Sequence, residues 1–240
     1  MTYFLTSSPC VEGASLLNPA NGFLEELRKE IPVPCRALFI CSDPDRCILT
    51  DRHGGDIRDS FEAAGFVFRD YIILDGRNAQ LAPSLVRAAE LVILAGGHVP
   101  TQNRFFAEIH LRELLRDFEG VVVGISAGTM NSANLVYAQP ELPGESRSAD
   151  YRRFLPGLGM TDAMILPHYQ KTRYFQLDGL RLFEDITYSD SMGRRFYALP
   201  DGSYLLGRDG KEELRGEAYL IQDGILTQIG RENGVFPLIP

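Results

Sequence analysis

The sequence predicts an α/β fold in which amphipathic helices cover a mostly parallel β-sheet. Short apolar runs alternate with amphipathic stretches along the 240 residues, as in strands joined by crossover helices. Two runs, LVILA at 91–95 and GVVVG at 120–124, are apolar throughout, which is typical of strands buried on both faces. No linker or repeat divides the chain, so we predict one domain over residues 1–240.

The first half of the chain supplies most of the predicted sheet. Gly65 is expected to end one helix, because glycine commonly follows the last helical residue, and apolar residues at helical spacing predict another helix over 101–118. The predicted elements in order are strand 3–7, strand 37–41, helix 51–64, strand 66–74, helix 81–90, strand 91–95, helix 101–118 and strand 120–124.

The second half is less regular. Its predicted elements are helix 129–136, a polar loop at 140–150, strand 163–166, helix 174–183, and strands 196–199 and 204–206 on either side of a Pro-Asp-Gly turn. Residues 217–230 predict a C-terminal β-hairpin, because Asp223-Gly224 suits a type I′ turn.

Composition excludes several classes of protein. The net charge of −8 argues against a nucleic-acid-binding protein, which usually carries a basic surface. No apolar run approaches the roughly 20 residues that span a bilayer, and the first residues lack the features of a secretory signal. The spacing of the four cysteines fits neither a redox pair nor a zinc site. We therefore expect a cytoplasmic protein with reduced thiols and no nucleic-acid or membrane partner.

The segment GISAG at 124–128 fits the G-x-S-x-G pattern of a nucleophile elbow. A predicted strand precedes it and a predicted helix follows, so Ser126 would lie on a sharp turn with its hydroxyl exposed above the sheet edge. The N–H of Ala127 would then face a developing oxyanion. The bare pattern is common, and a serine in an ordinary strand-to-helix turn is the alternative.

A second glycine turn, Gly96-Gly97, also ends a buried strand. Because ligands bind at the carboxyl ends of parallel strands, this turn and the GISAG turn can meet at one site. The N–H of Gly97 could supply the second oxyanion donor, although a plain turn explains the glycines equally well.

A nucleophilic serine needs an adjacent base, and the chain has four histidines. His168 directly follows the predicted strand 163–166 and would stand at the same sheet edge as Ser126. His53 belongs to a predicted helix start and His110 to a helix face, whereas His98 follows the glycine pair and could line a pocket. Position therefore favours His168.

The base needs an acid to fix its tautomer. Asp201 follows the strand 196–199, although Pro-Asp-Gly is also an ordinary turn sequence. Rival acids lie between the serine and the histidine, namely Glu141, Glu145, Asp150 and Asp162.

Taken together, the Gly-Gly turn, GISAG, ILPHY and ALPDG resemble the peptidase E (dipeptidase E, aspartyl dipeptidase) family, which is distantly related to cyanophycinase. The resemblance spans residues 39–206. It implies a single-domain, three-layer, flavodoxin-like fold near the class I glutamine amidotransferases, and serine peptidase activity without metal or cofactor. Carried over by motif, Ser126 matches the nucleophile, His168 the base, and Gly97 and Ala127 the oxyanion donors.

Two departures leave the substrate open. The family's acid is glutamate in its better-known members and Asp201 here, so Asp150 stays a candidate. His98 replaces the asparagine of the family's Gly-Gly-Asn segment, and the arginine that reads an N-terminal aspartate has no clear counterpart. His98, Lys171 and Arg173 are the candidate substrate-binding residues, with Arg181 a further cation, and solvated surface charge is the alternative for the three cations.

We therefore expect a serine peptidase that hydrolyses short peptides, with N-terminal-aspartate dipeptides and a homodimer both left open. One alternative is an α/β-hydrolase esterase, whose triad runs in the order serine, acid, histidine. Another is a catalytically silent binding protein on an amidotransferase-like fold, which His98 would permit.

Overall fold

A computed structural model describes residues 1–238 of the chain. The helices within this range are α1 (Phe23–Glu30), α2 (Cys47–Ala63), α3 (Ala82–Ala88), α4 (Val99–Glu108), α5 (Leu111–Arg116), α6 (Ala127–Asn131), α7 (Tyr169–Thr172) and α8 (Tyr188–Asp190). The strands are β1 (Thr2–Thr6), β2 (Cys35–Ile40), β3 (Phe68–Leu74), β4 (Leu91–Leu94), β5 (Val121–Ile125), β6 (Leu135–Tyr137), β7 (Phe154–Pro156), β8 (Met164–Leu166), β9 (Gln176–Leu177), β10 (Leu180–Arg181), β11 (Arg195–Ala198), β12 (Tyr204–Arg208), β13 (Lys211–Arg215), β14 (Ala218–Gln222), β15 (Ile225–Gly230) and β16 (Val235–Leu238).

The centre of the molecule is an eight-stranded sheet in the order β16-β13-β12-β1-β5-β4-β2-β3. Strands β1 to β5 run parallel to one another, and β12, β13 and β16 add an antiparallel side. The expectation of an α/β fold with a large, mostly parallel sheet is confirmed.

Helices cover both faces of this sheet. Phe23 and Leu27 of α1 and Phe61 of α2 pack on one face, where they meet Phe4 and Phe39. Helices α3, α4 and α5 contribute apolar side chains to the opposite face. A four-stranded sheet, in the order β15-β14-β11-β8, packs beside them, with Ile165 and Tyr197 in one cluster with Leu5 of β1. This second sheet brings the end of β8 close to the end of β1.

The helix predicted over 101–118 is two helices. His110 has φ 54°, in the left-handed region, and separates α4 from α5. Ile109 and Leu111 are both buried in the same cluster, although residues two apart point to different sides of a continuous helix. The break lets both reach the core. Helix α1 is not among the predicted elements, and α2 begins at Cys47, so His53 lies inside a helix and not at its start.

Two helices predicted in the second half are wrong. The helix expected over 129–136 ends at Asn131, and Leu135–Tyr137 is strand β6, paired with β7. The helix expected over 174–183 is a hairpin of β9 and β10, followed by a π-helical turn at Leu182–Thr187. Asp178 and Gly179 both have positive φ (53° and 81°), so this Asp-Gly pair forms the hairpin turn that such a pair favours.

The strands predicted at 196–199 and 204–206 belong to different sheets. Strand β11 is part of the four-stranded sheet and β12 part of the large one, so the turn at 200–202 carries the chain between them. Asp201 therefore lies where the two sheets meet. The predicted C-terminal hairpin is confirmed as β14 and β15, with positive φ at Asp223 and Gly224.

Two further observations bear on the compositional expectations. Within residues 1–238, no helix combines the length and apolar character needed to cross a membrane. The four cysteines are free thiols; two are buried and two half-buried.

Candidate active site

Ser126 lies between β5 and α6 on a strained turn. Its φ of 49° and ψ of −106° are rare for a residue with a side chain. The Ser126 N–H donates to the Thr6 carbonyl, 3.1 Å away, which anchors the turn to β1. Glycines flank it for a steric reason, since a Cβ on Gly124 would lie 2.9 Å from Thr129 Oγ1 and one on Gly128 2.4 Å from the Leu94 carbonyl oxygen. The local sequence thus produces the sharp strand-to-helix turn that the G-x-S-x-G pattern predicts.

Substitution of Gly128 by alanine is expected to destabilise the protein. The added methyl group would meet the Leu94 backbone, which cannot turn away as a side chain can. Such overpacking costs about 1–3 kcal/mol in the free energy of unfolding. Chemical denaturation measures the loss. Gly55→Ala is the matched control, because its Cβ meets nothing within 4 Å, and alanine inside α2 is expected to stabilise by about 0.5–1 kcal/mol. Equal stabilities of the two variants would contradict the steric argument.

The two predicted oxyanion donors lie beside Ser126. A Cβ on Gly96 would stand 3.5 Å from Ser126 Cβ, so the Gly96-Gly97 turn adjoins the elbow. Gly97 is exposed, and Ala127 is the first residue of α6. Within residues 1–238, the N–H groups of Gly97 and Ala127 donate to no protein acceptor. Both are therefore available to a substrate oxygen, and their role stays a prediction.

The structure brings the predicted base and acid into one row with Ser126. His168 Nε2 lies 3.0 Å from Ser126 Oγ, and His168 Nδ1 lies 2.6 Å from Asp201 Oδ1. With Asp201 ionised, Nδ1–H donates to the carboxylate and Nε2 is left to accept the Ser126 hydroxyl proton. These three residues come from the ends of β5, β8 and β11.

The carboxylate of Asp201 is held in its ionised form. Burial opposes ionisation, but hydrogen bonds from His168, Ser7 and Gln170, together with the positive charge that His168 can carry, keep the pKa of Asp201 well below its usual range. Lys171 Nζ adds a cation 3.4 Å from Asp201 Oδ2. The row thus ends in a permanent negative charge at neutral pH.

The rival acids lie elsewhere. Glu145 is hydrogen-bonded to His98. Asp150 is exposed, and its backbone N–H donates to Ser148 Oγ. Asp162 lies near Tyr3, at the N-terminal end of β1, where its negative charge helps to raise the pKa of the tyrosine. Within the described residues, Asp201 is the carboxylate hydrogen-bonded to His168.

The candidate substrate-binding residues differ in how free they are. His98 is engaged on both ring nitrogens, at 2.8 Å from Thr101 Oγ1 and 2.8 Å from Glu145 Oε1. Lys171 pairs with Glu12 at 2.8 Å and borders Asp201. Arg173 is exposed and lies over the rings of Tyr169 and Tyr174. Arg181 pairs with Asp185 and is a surface charge.

Sequence reasoning missed two residues of the site. Ser7 and Gln170 both bind the Asp201 carboxylate, at 2.8 and 2.6 Å. Ser7 follows β1, which ends at Thr6, but the predicted strand 3–7 included Ser7 and so gave no signal for a site residue. Gln170 had none either.

A cavity of about 1160 Å³ lies at the opposite edge of the sheets, where strands begin. It is lined by Tyr3, Met164 and Arg195, and of the candidates named from the sequence it holds the rival acid Asp162 but none of the residues of the row. The candidate active site lies at the edge where the strands end, because the reactive side chains are hydrogen-bonded to one another there. The volume of a cavity does not by itself identify an active site.

Neither the protein-family models nor the curated proteins give a significant match to the chain. Among solved structures, the chain is similar to a peptidase from an acI-B1 Actinobacterium, with a TM-score of 0.65 and 16% sequence identity over 99% of this chain and 96% of that one. It is also similar to a candidate peptidase E protein from Listeria monocytogenes EGD-e, with a TM-score of 0.60 and 15% identity over 95% of this chain and 98% of that one. At this identity the likeness concerns the fold, and the chain therefore has the peptidase E fold that its motifs resemble.

Proposed function

We propose that this protein is a serine peptidase that hydrolyses short peptides through an acyl-enzyme. The observation that carries the proposal is the row from Ser126 Oγ through His168 to Asp201, with heavy-atom distances of 3.0 and 2.6 Å. A hydroxyl, an imidazole and an ionised carboxylate in this order are the parts that nucleophilic acyl transfer needs. The names of the two structural neighbours support a peptidase.

In the proposed reaction, Ser126 Oγ attacks the scissile carbonyl carbon while its proton passes to His168 Nε2. The oxyanion accepts hydrogen bonds from the N–H groups of Gly97 and Ala127, and Asp201 stabilises the imidazolium. His168 then gives its proton to the leaving amine, which departs as the C–N bond breaks. Water, deprotonated by His168, hydrolyses the Ser126 ester and restores the hydroxyl. Each step uses groups of this chain and water.

The finer fold assignment belongs to the same proposal. Strands β3-β2-β4-β5 follow the order 2-1-3-4 when counted from β2, as in flavodoxin-like sheets. We also propose that residues 1–240 form a single catalytic domain. A homodimeric assembly and a cytoplasmic location stay expectations.

The loop at 140–150 supports a preference for short substrates. Glu145 Oε1 is bound to His98, the residue after Gly97, and Glu145 Oε2 accepts the N–H groups of Glu141 and Leu142. Asp178 accepts from Gly144 N–H and from Ser146 Oγ. The loop is therefore tied beside the proposed oxyanion site, where it would limit the length of a bound peptide.

Glu145→Ala is expected to relax this limit. Hydrogen bonds to a charged group contribute about 1.5–3 kcal/mol, so their loss should raise the open population of the loop by roughly 10-fold or more. The ratio of kcat/KM for a pentapeptide to that for a dipeptide measures the change. Arg147→Ala, an exposed side chain of the same loop, is the control. An unchanged ratio in Glu145→Ala would show that the loop does not select for length.

A panel of dipeptides with N-terminal aspartate, glutamate or neutral residues, together with a simple ester, tests the function. Hydrolysis of any dipeptide supports the proposal, and the ranking identifies the specificity. Ester hydrolysis without peptide hydrolysis would make the protein an esterase. No hydrolysis, together with no covalent labelling of Ser126 by a fluorophosphonate, would leave a binding protein.

A further inference from the structure

Ser7 contacts both the proposed base and the proposed acid. Its hydroxyl lies 2.8 Å from Asp201 Oδ1 and 2.7 Å from the backbone N of His168. A serine hydroxyl has one proton, and an ionised carboxylate can only accept, so the proton points to Asp201. The oxygen of Ser7 then accepts the His168 N–H. The residue is fully buried, at 0% exposure, so solvent does not compete for either bond.

The bond from the His168 N–H to Ser7 constrains the backbone of the base. His168 has φ 57° and ψ 31°, a left-handed conformation that residues other than glycine seldom adopt. The Ser7 oxygen receives the N–H of His168 itself, and the Leu199 carbonyl receives the next N–H, that of Tyr169, at 3.2 Å. Since the ring is carried on this backbone, Ser7 helps to set where the imidazole lies.

The bond from Ser7 to Asp201 constrains the carboxylate. Ser7 binds the same oxygen, Asp201 Oδ1, that accepts His168 Nδ1–H at 2.6 Å. Gln170 holds the other oxygen at 2.6 Å and accepts the Asp201 N–H at 3.1 Å. With each oxygen bound from a different direction, the carboxylate cannot rotate away from the imidazole.

We infer that Ser7 is a positioning residue of the reaction, which acts through Asp201 and His168 and does not touch substrate. The inference rests on the proposed function, because it assigns Ser7 to the same site. A merely structural serine behaves differently. Ser60, which is also buried, donates to the Asp56 carbonyl one turn earlier in its own helix and accepts from Cys10 Sγ at 3.7 Å, so both of its contacts lie outside the row.

The test compares Ser7→Ala with Ser60→Ala by the rate at which a fluorophosphonate labels Ser126. This rate reports activation of the nucleophile for any substrate specificity. A misplaced reacting group can cost on the order of 100-fold, and we expect Ser7→Ala to label about 10- to 100-fold more slowly. In kinetics with a dipeptide, the loss should fall on kcat while KM stays within about 3-fold, because Ser7 makes no substrate contact. Ser60→Ala should label at the wild-type rate.

A double-mutant cycle separates positioning from structure. If Ser7 acts through Asp201 as well as through the His168 backbone, Ser7→Ala should cost less in an Asp201→Asn background than in the wild type, since the charge that it positions is gone while its bond to the His168 N–H remains. Equal losses in both backgrounds would overturn the inference. So would a Ser7→Ala labelling rate within about 3-fold of wild type.

A spectroscopic readout keeps the test independent of activity. The proton in the short bond between His168 Nδ1 and Asp201 Oδ1 should give a far-downfield ¹H resonance, because charge-assisted hydrogen bonds of this length are strong. We expect Ser7→Ala to shift or broaden this resonance and Ser60→Ala to leave it unchanged. If wild-type Ser126 takes no label, the proposed function fails, whereas an unchanged resonance in Ser7→Ala overturns the positioning role by itself.

A second variant covers the case in which Ser7→Ala does not fold. Ser7→Cys fills the same space with a weak donor and should show a smaller loss of labelling rate and a smaller change of the resonance.

Discussion

Ser126→Ala is expected to abolish peptide hydrolysis while leaving the fold intact. Loss of the nucleophile removes the acyl-enzyme route, and in serine peptidases this costs about 10⁶-fold in kcat. The hydroxyl is half-buried on the surface turn and donates only to His168 Nε2, so its removal breaks one hydrogen bond and leaves no core cavity. Dipeptide turnover at enzyme excess measures the activity, and circular dichroism measures the fold.

Two comparisons make this result specific. A fluorophosphonate should label the wild-type protein at Ser126 and should not label Ser126→Ala. Ser191→Ala is the control, because the hydroxyl of this buried serine donates to the Tyr188 carbonyl and accepts the Gly224 N–H, both outside the row. This variant should retain both labelling and turnover. Wild-type turnover in Ser126→Ala would end the assignment of the nucleophile.

The residues of the row could be predicted because each lies within three residues of the end of a strand. Strand β5, however, lies in the eight-stranded sheet and β8 in the four-stranded sheet, so Ser126 and His168 meet through the contact between the two sheets and not at one sheet edge as expected. The strand predictions near these residues agree with β5 and β8 to within a residue or two.

What could not be predicted depends on packing between distant segments. The bonds of Ser7 and Gln170 to Asp201 join three chain regions whose distance is set by the contact between the two sheets. The pairing of His98 with Glu145 depends on the path of the loop at 140–150, which has no periodic pattern. The break at His110 likewise follows from core contacts of Ile109 and Leu111, not from a helix-ending residue.

Asp201→Asn is expected to lower kcat by about 10⁴-fold, the effect known for loss of the triad carboxylate. An amide cannot replace the charge that stabilises the imidazolium. Its NH₂ group would also favour the tautomer with the proton on Nε2, which cannot accept the proton of Ser126. Steady-state kinetics on the best dipeptide measures the loss.

The same substitution should change stability in a pH-dependent way, which provides an independent check. The pKa of Asp201 is lowered in the folded protein, so its ionised form stabilises the fold above the unfolded pKa of about 3.9. That advantage is lost as the pH falls toward the folded-state pKa. The difference in unfolding free energy between wild type and Asp201→Asn should therefore be largest near neutral pH and shrink below about pH 4.

Asp190→Asn is the matched control for both measurements. Asp190 has a side chain 15% exposed, against 17% for Asp201, and it binds Arg153 and Tyr137 away from the row. Its substitution should cost stability with little change in kcat, because it orients no base. If Asp190→Asn and Asp201→Asn lowered kcat equally, the carboxylates would matter only through the fold. A nearly wild-type kcat in Asp201→Asn would move the orienting role to another acid such as Asp150, which would have to approach His168 from an exposed loop on substrate binding.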